Sequence, residues 1–241
     1  MGMKRRTLLT AGGAAAALIA LPSAARATVR GPLFEWAQPG GFFAPGAGVL
    51  VAPPLAAYDD RTAYADAAAS LRLSAGRVEA LRELAIRVLR YRIPGGAVPG
   101  DRPVDFVRVR TEAGDYRTAR LDGWGDGDPD RRFPAVLHEL WDEVQRLRGR
   151  VARAGEPWRP AAVLIAAVRL DHTPADVRPW PRGVRVPAVH GRYGELRLRG
   201  DDALAVRRTV VPRTATGGWP AYRIGAGTHL AVTWRNLLPH E

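Results

Sequence analysis

Leu137, Leu140, Val144, Leu147 and Val151 recur at alternating spacings of three and four residues, with charged or polar residues between most of them. That period puts all five on one stripe of an α-helix entered through Pro134, with Arg146, Arg148, Arg150 and Arg153 crowding the turns where cations suit the helix dipole. A second set, Val78, Leu81, Ala85 and Val88, predicts a helix from about Ala75 to Tyr91, capped by Ser74 and stopped by Pro94-Gly95-Gly96. Elsewhere the period is two or the apolar runs are short, which predicts strands. "VDFVRVR" and "YRTARL" flank a turn at Glu112 to Asp115 and read as a hairpin. "PLFEWAQ" and "VLVAPPLAAY" read as strands, and Asp59-Asp60 turns the chain into "RTAYADA". After the punctuation of "EPWRP", "AAVLIAAVRL" reads as a buried strand, and "GELRLRG", "DALAVRRTVV", "PAYRIG" and "THLAVTWRN" as antiparallel strands. Residues 171–190 are rich in proline and irregular. The expected fold is α+β, mainly antiparallel sheet in hairpins with two amphipathic helices packed on it. Subdomains at 28–170 and 171–241 are expected within it.

The first residues do not fit that pattern. Lys4, Arg5 and Arg6 precede an Ala/Gly-rich apolar run from Leu8 to Leu21, and Ala25-Arg26-Ala27 is a small-x-small cleavage site. The run of about 14 residues is short of the roughly 20 that span a bilayer. Residues 1–27 are expected to be an export signal, and Arg5-Arg6-Thr7-Leu8-Leu9 approximates the twin-arginine type, a receptor-read address. The protein is therefore expected outside the cell or in the cell envelope.

Composition removes much of ordinary enzymology. The chain has no cysteine, which excludes thiolate nucleophiles, thiolate metal sites and stabilising disulfides. Lys4 is the only lysine, so a processed chain has none for Schiff-base or phosphate-loop chemistry. Ser70 and Ser74 are the only serines past the signal, and neither lies in a G-x-S-x-G turn. Removing Lys4, Arg5, Arg6 and Arg26 from the formal net charge of +12 leaves +8, all of it from arginine. Such a basic exported protein is drawn to anionic polymers.

Four groups of residues carry candidate chemistry. The acidic loop places Asp122, Asp126, Asp128 and Asp130 at calcium-loop positions, but Trp124 and Phe133 occupy ligand positions, so a solvated turn is favoured over a metal site. His138, Glu139 and Asp142 form H-E-x-x-D, which lacks the second histidine of the zinc-protease motif. The seven tryptophans would serve either as core or as a sugar-stacking platform, with core favoured. Alternating arginines, Arg108/Arg110, Arg197/Arg199 and Arg207/Arg208, would share one wet strand face. Of these, Arg197, Arg199, Arg207 and Arg208 are the candidate binding residues. Glu35, Asp59, Asp60 and Asp66 are the carboxylates that would serve a hydrolase if strands brought them together.

"PGGF", the "PP…YDDRTAY" hairpin, the Ser-capped helix, "DRP", "WRP", "WPRG" and the terminal "RNLLPHE" follow one another in an order that resembles a group of uncharacterised exported proteins of GC-rich actinobacteria. Two departures stand out: the resemblance implies a glycine-containing turn where "YDDR" stands and proline in place of Asn236. The group has no established activity and supplies no catalytic residue to carry over.

The expected function is a non-catalytic binding or structural role in the envelope, without a cofactor. Its partner would be an anionic envelope polymer or a glycan, with nucleic acid disfavoured. The alternatives are a hydrolase of paired carboxylates and a binder of anionic envelope polymers. N-terminal sequencing of exported protein should begin at Thr28; a full-length species that survives alkaline washing in membranes would overturn the processing.

Overall fold

The computed structural model describes residues 31–39, 48–90, 104–124, 133–212 and 218–241. Residues 1–27, the expected export signal, lie outside them. The described chain is α+β, with two sheets and three helices. None of those helices is long and apolar enough to cross a membrane.

The first sheet has seven strands: β1 (Phe34–Ala37), β2 (Leu55–Ala57), β3 (Thr62–Ala65), β4 (Ala69–Arg72), β5 (Val104–Arg110), β6 (Tyr116–Asp122) and β7 (Glu156–Pro157). Their order is β6-β5-β1-β2-β3-β4-β7, every pair antiparallel. The predicted hairpins at Asp59-Asp60 and at Glu112 to Asp115 are both present.

α1 (Ala75–Val88) and α2 (Ala135–Ala154) cover one face of this sheet. The buried positions of α1 are Val78, Leu81, Ala85 and Val88, the predicted stripe, and the Ser74 hydroxyl accepts from the Arg77 N–H at 3.3 Å. In α2 the five predicted apolar residues are likewise the buried ones. They pack on Phe34, Trp36, Val107 and Val109, which alternate to the helix side of β1 and β5. Gly155 caps the end of α2, and only glycine fits there, because a Cβ would collide with the carbonyl oxygens of Val151 and Ser70.

The second sheet contains β8 (Ala162–Leu170), β9 (Val177–Pro179), β10 (Tyr193–Arg199), β11 (Ala221–Gly225) and β12 (Thr228–Asn236), in the order β10-β8-β12-β11-β9. Only β9 is parallel to its neighbour. The change of sheet falls between β7 and β8, and β8 is an inner strand of the second sheet. Prolines in β7 and β9 sit on edge strands, where a missing N–H costs no ladder bond and discourages further pairing.

Three segments depart from expectation: at the start of "VLVAPPLAAY" Gly48–Leu50 is a 3-10 turn and only Leu55–Ala57 is strand, the irregular 171–190 contains β9, and the third is a helix. "DALAVRRTVV" is not a strand: Gly200–Thr209 is α3. Ala203 and Val206, three residues apart, face the core of the second sheet with Val163, Ile165 and Leu198. Asp201 and Asp202 in the first turn and Arg207 and Arg208 in the last complement the helix dipole.

The two sheets are joined by residues 235–241. Asn236 Nδ2 donates to the carbonyls of Ala67 (3.3 Å) and Trp158 (2.9 Å), and its Oδ1 accepts from Arg207 at 3.3 Å. Leu238, 2% exposed, packs with Ala56, Tyr58, Tyr64 and Ala67 on the face of the first sheet opposite the helices. Leu140→Ala in α2 should lower the unfolding free energy by about 2–5 kcal/mol in urea titrations, the cost of a core cavity. Asp142→Ala, two residues on and exposed on the opposite face of the helix, should change it by less than about 0.5 kcal/mol.

Candidate functional site

Two polar assemblies are built on the first sheet. One is buried under residues 237–241, and the other opens to solvent.

The buried assembly begins at Glu35, which alternates away from the helix face of β1 and sits opposite Arg108 of β5. Glu35 pairs with Arg108 through one carboxylate oxygen and with His240 Nε2 at 3.3 Å through the other. His240 Nδ1 lies 2.6 Å from the Tyr58 hydroxyl. With Nε2–H facing the carboxylate, Nδ1 accepts the phenolic proton. A phenol, an imidazole and a carboxylate in series resemble a nucleophile–base–orienter chain. However, Tyr58 is 5% exposed beneath Leu238, so no substrate reaches its oxygen. The chain fastens residues 237–241 to the sheet.

Two neighbours show the same fastening electrostatically. Burial alone would raise the Glu241 carboxyl, but Arg235 reverses this by two hydrogen bonds (2.7 and 2.9 Å) and its charge, helped by the Leu238 N–H and His240, and holds it below the ordinary carboxylate value. Tyr64 is pushed up to about 12, by burial first and by the charge of Asp60 second. Tyr58 is raised further, by burial and then by Glu35, Tyr64 and Glu241, against a backbone hydrogen bond from His240.

The open assembly is a cleft of about 1010 Å³ at the end of the first sheet, between the β2–β3 turn, the β5–β6 turn and the first turns of α1. Its charged lining is Asp59, Arg61, Glu79, Arg82, Arg110 and Glu112. Asp59 pairs with Arg110. Arg82 bridges Glu79 at 2.8 Å and Glu112 at 3.3 Å. Arg61 has no side-chain partner among the described residues, and it holds a backbone φ of 69° in the left-handed region. Tyr116 forms a further wall: it is 39% exposed, its hydroxyl donates to the Pro32 carbonyl at 2.9 Å, and Arg108 stands 4.8 Å over its ring.

The predicted residues are distributed differently from the expectation. Arg197 and Arg199 alternate on the face of β10 opposite Leu198, whereas α3, carrying Arg207 and Arg208, packs on the Leu198 face. The four therefore do not share one surface, and the strand reading that placed them together fails because 200–209 is helical. Arg207 is also engaged internally, with Asn236 and the Pro160 carbonyl. Of the four carboxylates, only Asp59 lines the cleft; Glu35 is held by Arg108 and His240, Asp66 by Arg148 at 2.8 Å, and Asp60 accepts from the Thr62 N–H at 2.9 Å.

Trp36 and Trp124 are core residues, stacked edge-to-face with each other and with half-buried Trp141 at centroid separations of 4.9–5.9 Å. Trp158, Trp180 and Trp234 are half-buried, each indole donating to a backbone carbonyl. Asp122 ends β6 and bonds Arg120 at 2.8 Å, while Asp126, Asp128 and Asp130 lie outside the described residues. On α2, Glu139 pairs with Arg87 at 3.2 Å, and no group of three metal-ligating side chains occurs among the described residues.

Arg61, Arg82 and Tyr116 were not among the sequence candidates. The one signal for Arg61 was the glycine missing from the "YDDR" turn. Comparison of the chain with protein-family models, with curated proteins and with solved structures finds no match in any of the three. What the protein does has to be read from its own residues.

The titrating groups set two limbs of stability. The depressed Glu241 contributes stability that is present above its ordinary value of 4.5 and is lost as pH falls through and below it. Tyr58 and Tyr64, both raised, contribute stability that is present below the ordinary phenol value of 10.0 and is lost as pH rises past it. Urea titrations should show Glu241→Gln flattening the acid limb and Tyr58→Phe the alkaline one. An alkaline limb unchanged in Tyr58→Phe would contradict the assignment.

Proposed function

We propose that this is an exported, non-catalytic binding protein whose ligand site is the cleft between α1 and the β2–β3 and β5–β6 turns. The observation that carries the reading is the state of the cleft's acids: Asp59, Glu79 and Glu112 are each ion-paired with Arg110 or Arg82. A general acid and base need two carboxylates with separated proton affinities and access to substrate. Carboxylates clamped by guanidinium groups instead form fixed, directional walls. The volume of about 1010 Å³ suits a ligand of several rings rather than a single ion. Export follows from the signal-like first 27 residues, and an envelope location supplies anionic polymers and glycans as candidate partners.

The hydrolase reading would need at least two of Glu35, Asp59, Asp60 and Asp66 around one cleft, and only Asp59 lies there.

The test is a thermal-shift series with calcium, zinc, a heparin-derived tetrasaccharide and neutral cell-wall oligosaccharides. An oligosaccharide should raise the melting temperature. Ala113→Trp, at an exposed position on the cleft wall, should abolish that rise without altering the ligand-free value. Cleavage of the added glycan, or binding indifferent to Ala113→Trp, would overturn the proposal.

A further inference from the structure

Arg61 occupies a backbone position that its residue type disfavours. It closes the loop between β2 and β3, in which the Tyr58 N–H bonds the Thr62 carbonyl at 3.0 Å and the Arg61 N–H bonds the Tyr58 carbonyl at 2.9 Å. The loop requires φ of 69° at Arg61, a region where a Cβ crowds the carbonyl and where glycine is the default. Three-residue and four-residue hairpin loops commonly place glycine at such a point. Nothing within the described fold compensates for arginine here: its guanidinium makes no ion pair or hydrogen bond among the described residues, although it lines the cleft. Strain retained at a residue without a structural partner is a mark of a working side chain.

The surrounding charges define what that side chain would meet. Asp59 is engaged by Arg110, which is itself 11% exposed, and Arg82, 12% exposed, is ion-paired with both Glu79 and Glu112. Glu112 is 88% exposed on the rim, where solvent screens it. Arg61 is thus the one cation lining the cleft, among the described residues, that remains available to a ligand anion. A guanidinium is suited to a planar or tetrahedral oxyanion, which it can grip with two parallel N–H donors. The cleft is several times larger than an oxyanion needs, so the anion belongs to a larger molecule. One exposed aromatic ring, Tyr116, stands in the same wall. A single ring suits one sugar face, whereas a single-stranded nucleic acid is held by a succession of stacked bases.

We infer that Arg61 is the anion anchor of the cleft and that the ligand is an acidic glycan, its carboxylate, sulfate or phosphate on the Arg61 guanidinium and a sugar ring against Tyr116. This rests on the cleft being the ligand site. The strained turn then has a purpose, because a glycine there would relax the loop and remove the cation.

Calorimetric titration of the full chain with a heparin-derived tetrasaccharide, with maltotetraose as the neutral counterpart, tests it. Wild type should bind the acidic probe and not the neutral one. Arg61→Gln and Arg61→Gly should each weaken binding about tenfold or more, the loss of a charge-assisted bond. Arg61→Gly should at the same time raise the melting temperature by about 2–4 °C, since it relieves the backbone. If both variants bind as wild type does while Ala113→Trp does not bind, the anchor is wrong and the cleft stands. Equal binding of maltotetraose would also overturn the anchor. If wild type binds neither probe, or if Ala113→Trp binds like wild type, the cleft itself falls with it.

Discussion

Glu35 stands on the face of the first sheet that turns away from the helices, and a carboxylate buried there has to be both neutralised and hydrogen-bonded. Arg108, its cross-strand neighbour, and His240, from more than two hundred residues further along the chain, share that task. The rest of the assembly depends on it. His240 reaches Glu35 only because Leu238 fills the apolar patch beside it and Arg235 and Asn236 anchor the end of β12. The second sheet is held to the first by this strap, so the back of the first sheet is closed by chain and not by a third helix. Removing one partner of such a network leaves the others buried and unsatisfied, which makes the seam cooperative.

Backbone strain follows the same logic and separates structural from functional sites. Among the described residues, three other than glycine have positive φ: Arg61, Asp66 and Ala67. Asp66 and Ala67 form the β3–β4 turn and are held from outside, Asp66 by two bonds from Arg148 and the Ala67 carbonyl by Asn236. Their conformation is explained by the seam. Among the described residues nothing comparable restrains the Arg61 side chain, which is why the strain there points to the cleft and not to the fold.

The absence of cysteine and of any lysine after Lys4 leaves the structure to arginine for its strong cations, and it uses that residue's geometry throughout. Arg235 and Arg148 make paired donations to carboxylates, Arg207 reaches a carbonyl and an amide, and Arg108 spans Glu35 and the Tyr116 ring. These roles need a planar fork that a single ammonium does not offer. These arginines are thereby engaged in the fold, and Arg197, Arg199, Arg207 and Arg208 do not make up the single basic face that their spacing suggested.

Elements whose apolar period is long were legible from sequence. The stripes of α1 and α2 and the hairpins at Asp59-Asp60 and at 112–115 follow from spacing alone, because burial of one helix face or one strand face imposes that spacing. α3 was misread because it buries just Ala203 and Val206, too few positions to separate a period of three or four from a period of two; its acidic first turn and basic last turn were the signal that could have found it. The cleft was beyond sequence reading, since it unites residues 59–61, 75–82 and 110–116 only after β1 pairs with both β2 and β5. The seam was equally hidden: "RNLLPHE" is recognisable as a pattern, but that its histidine completes a bond begun at Glu35 depends on where two sheets meet. Local periodicity determined the elements; long-range pairing decided which charges are spent on holding them and which cation of the cleft is left without an ion pair among the described residues.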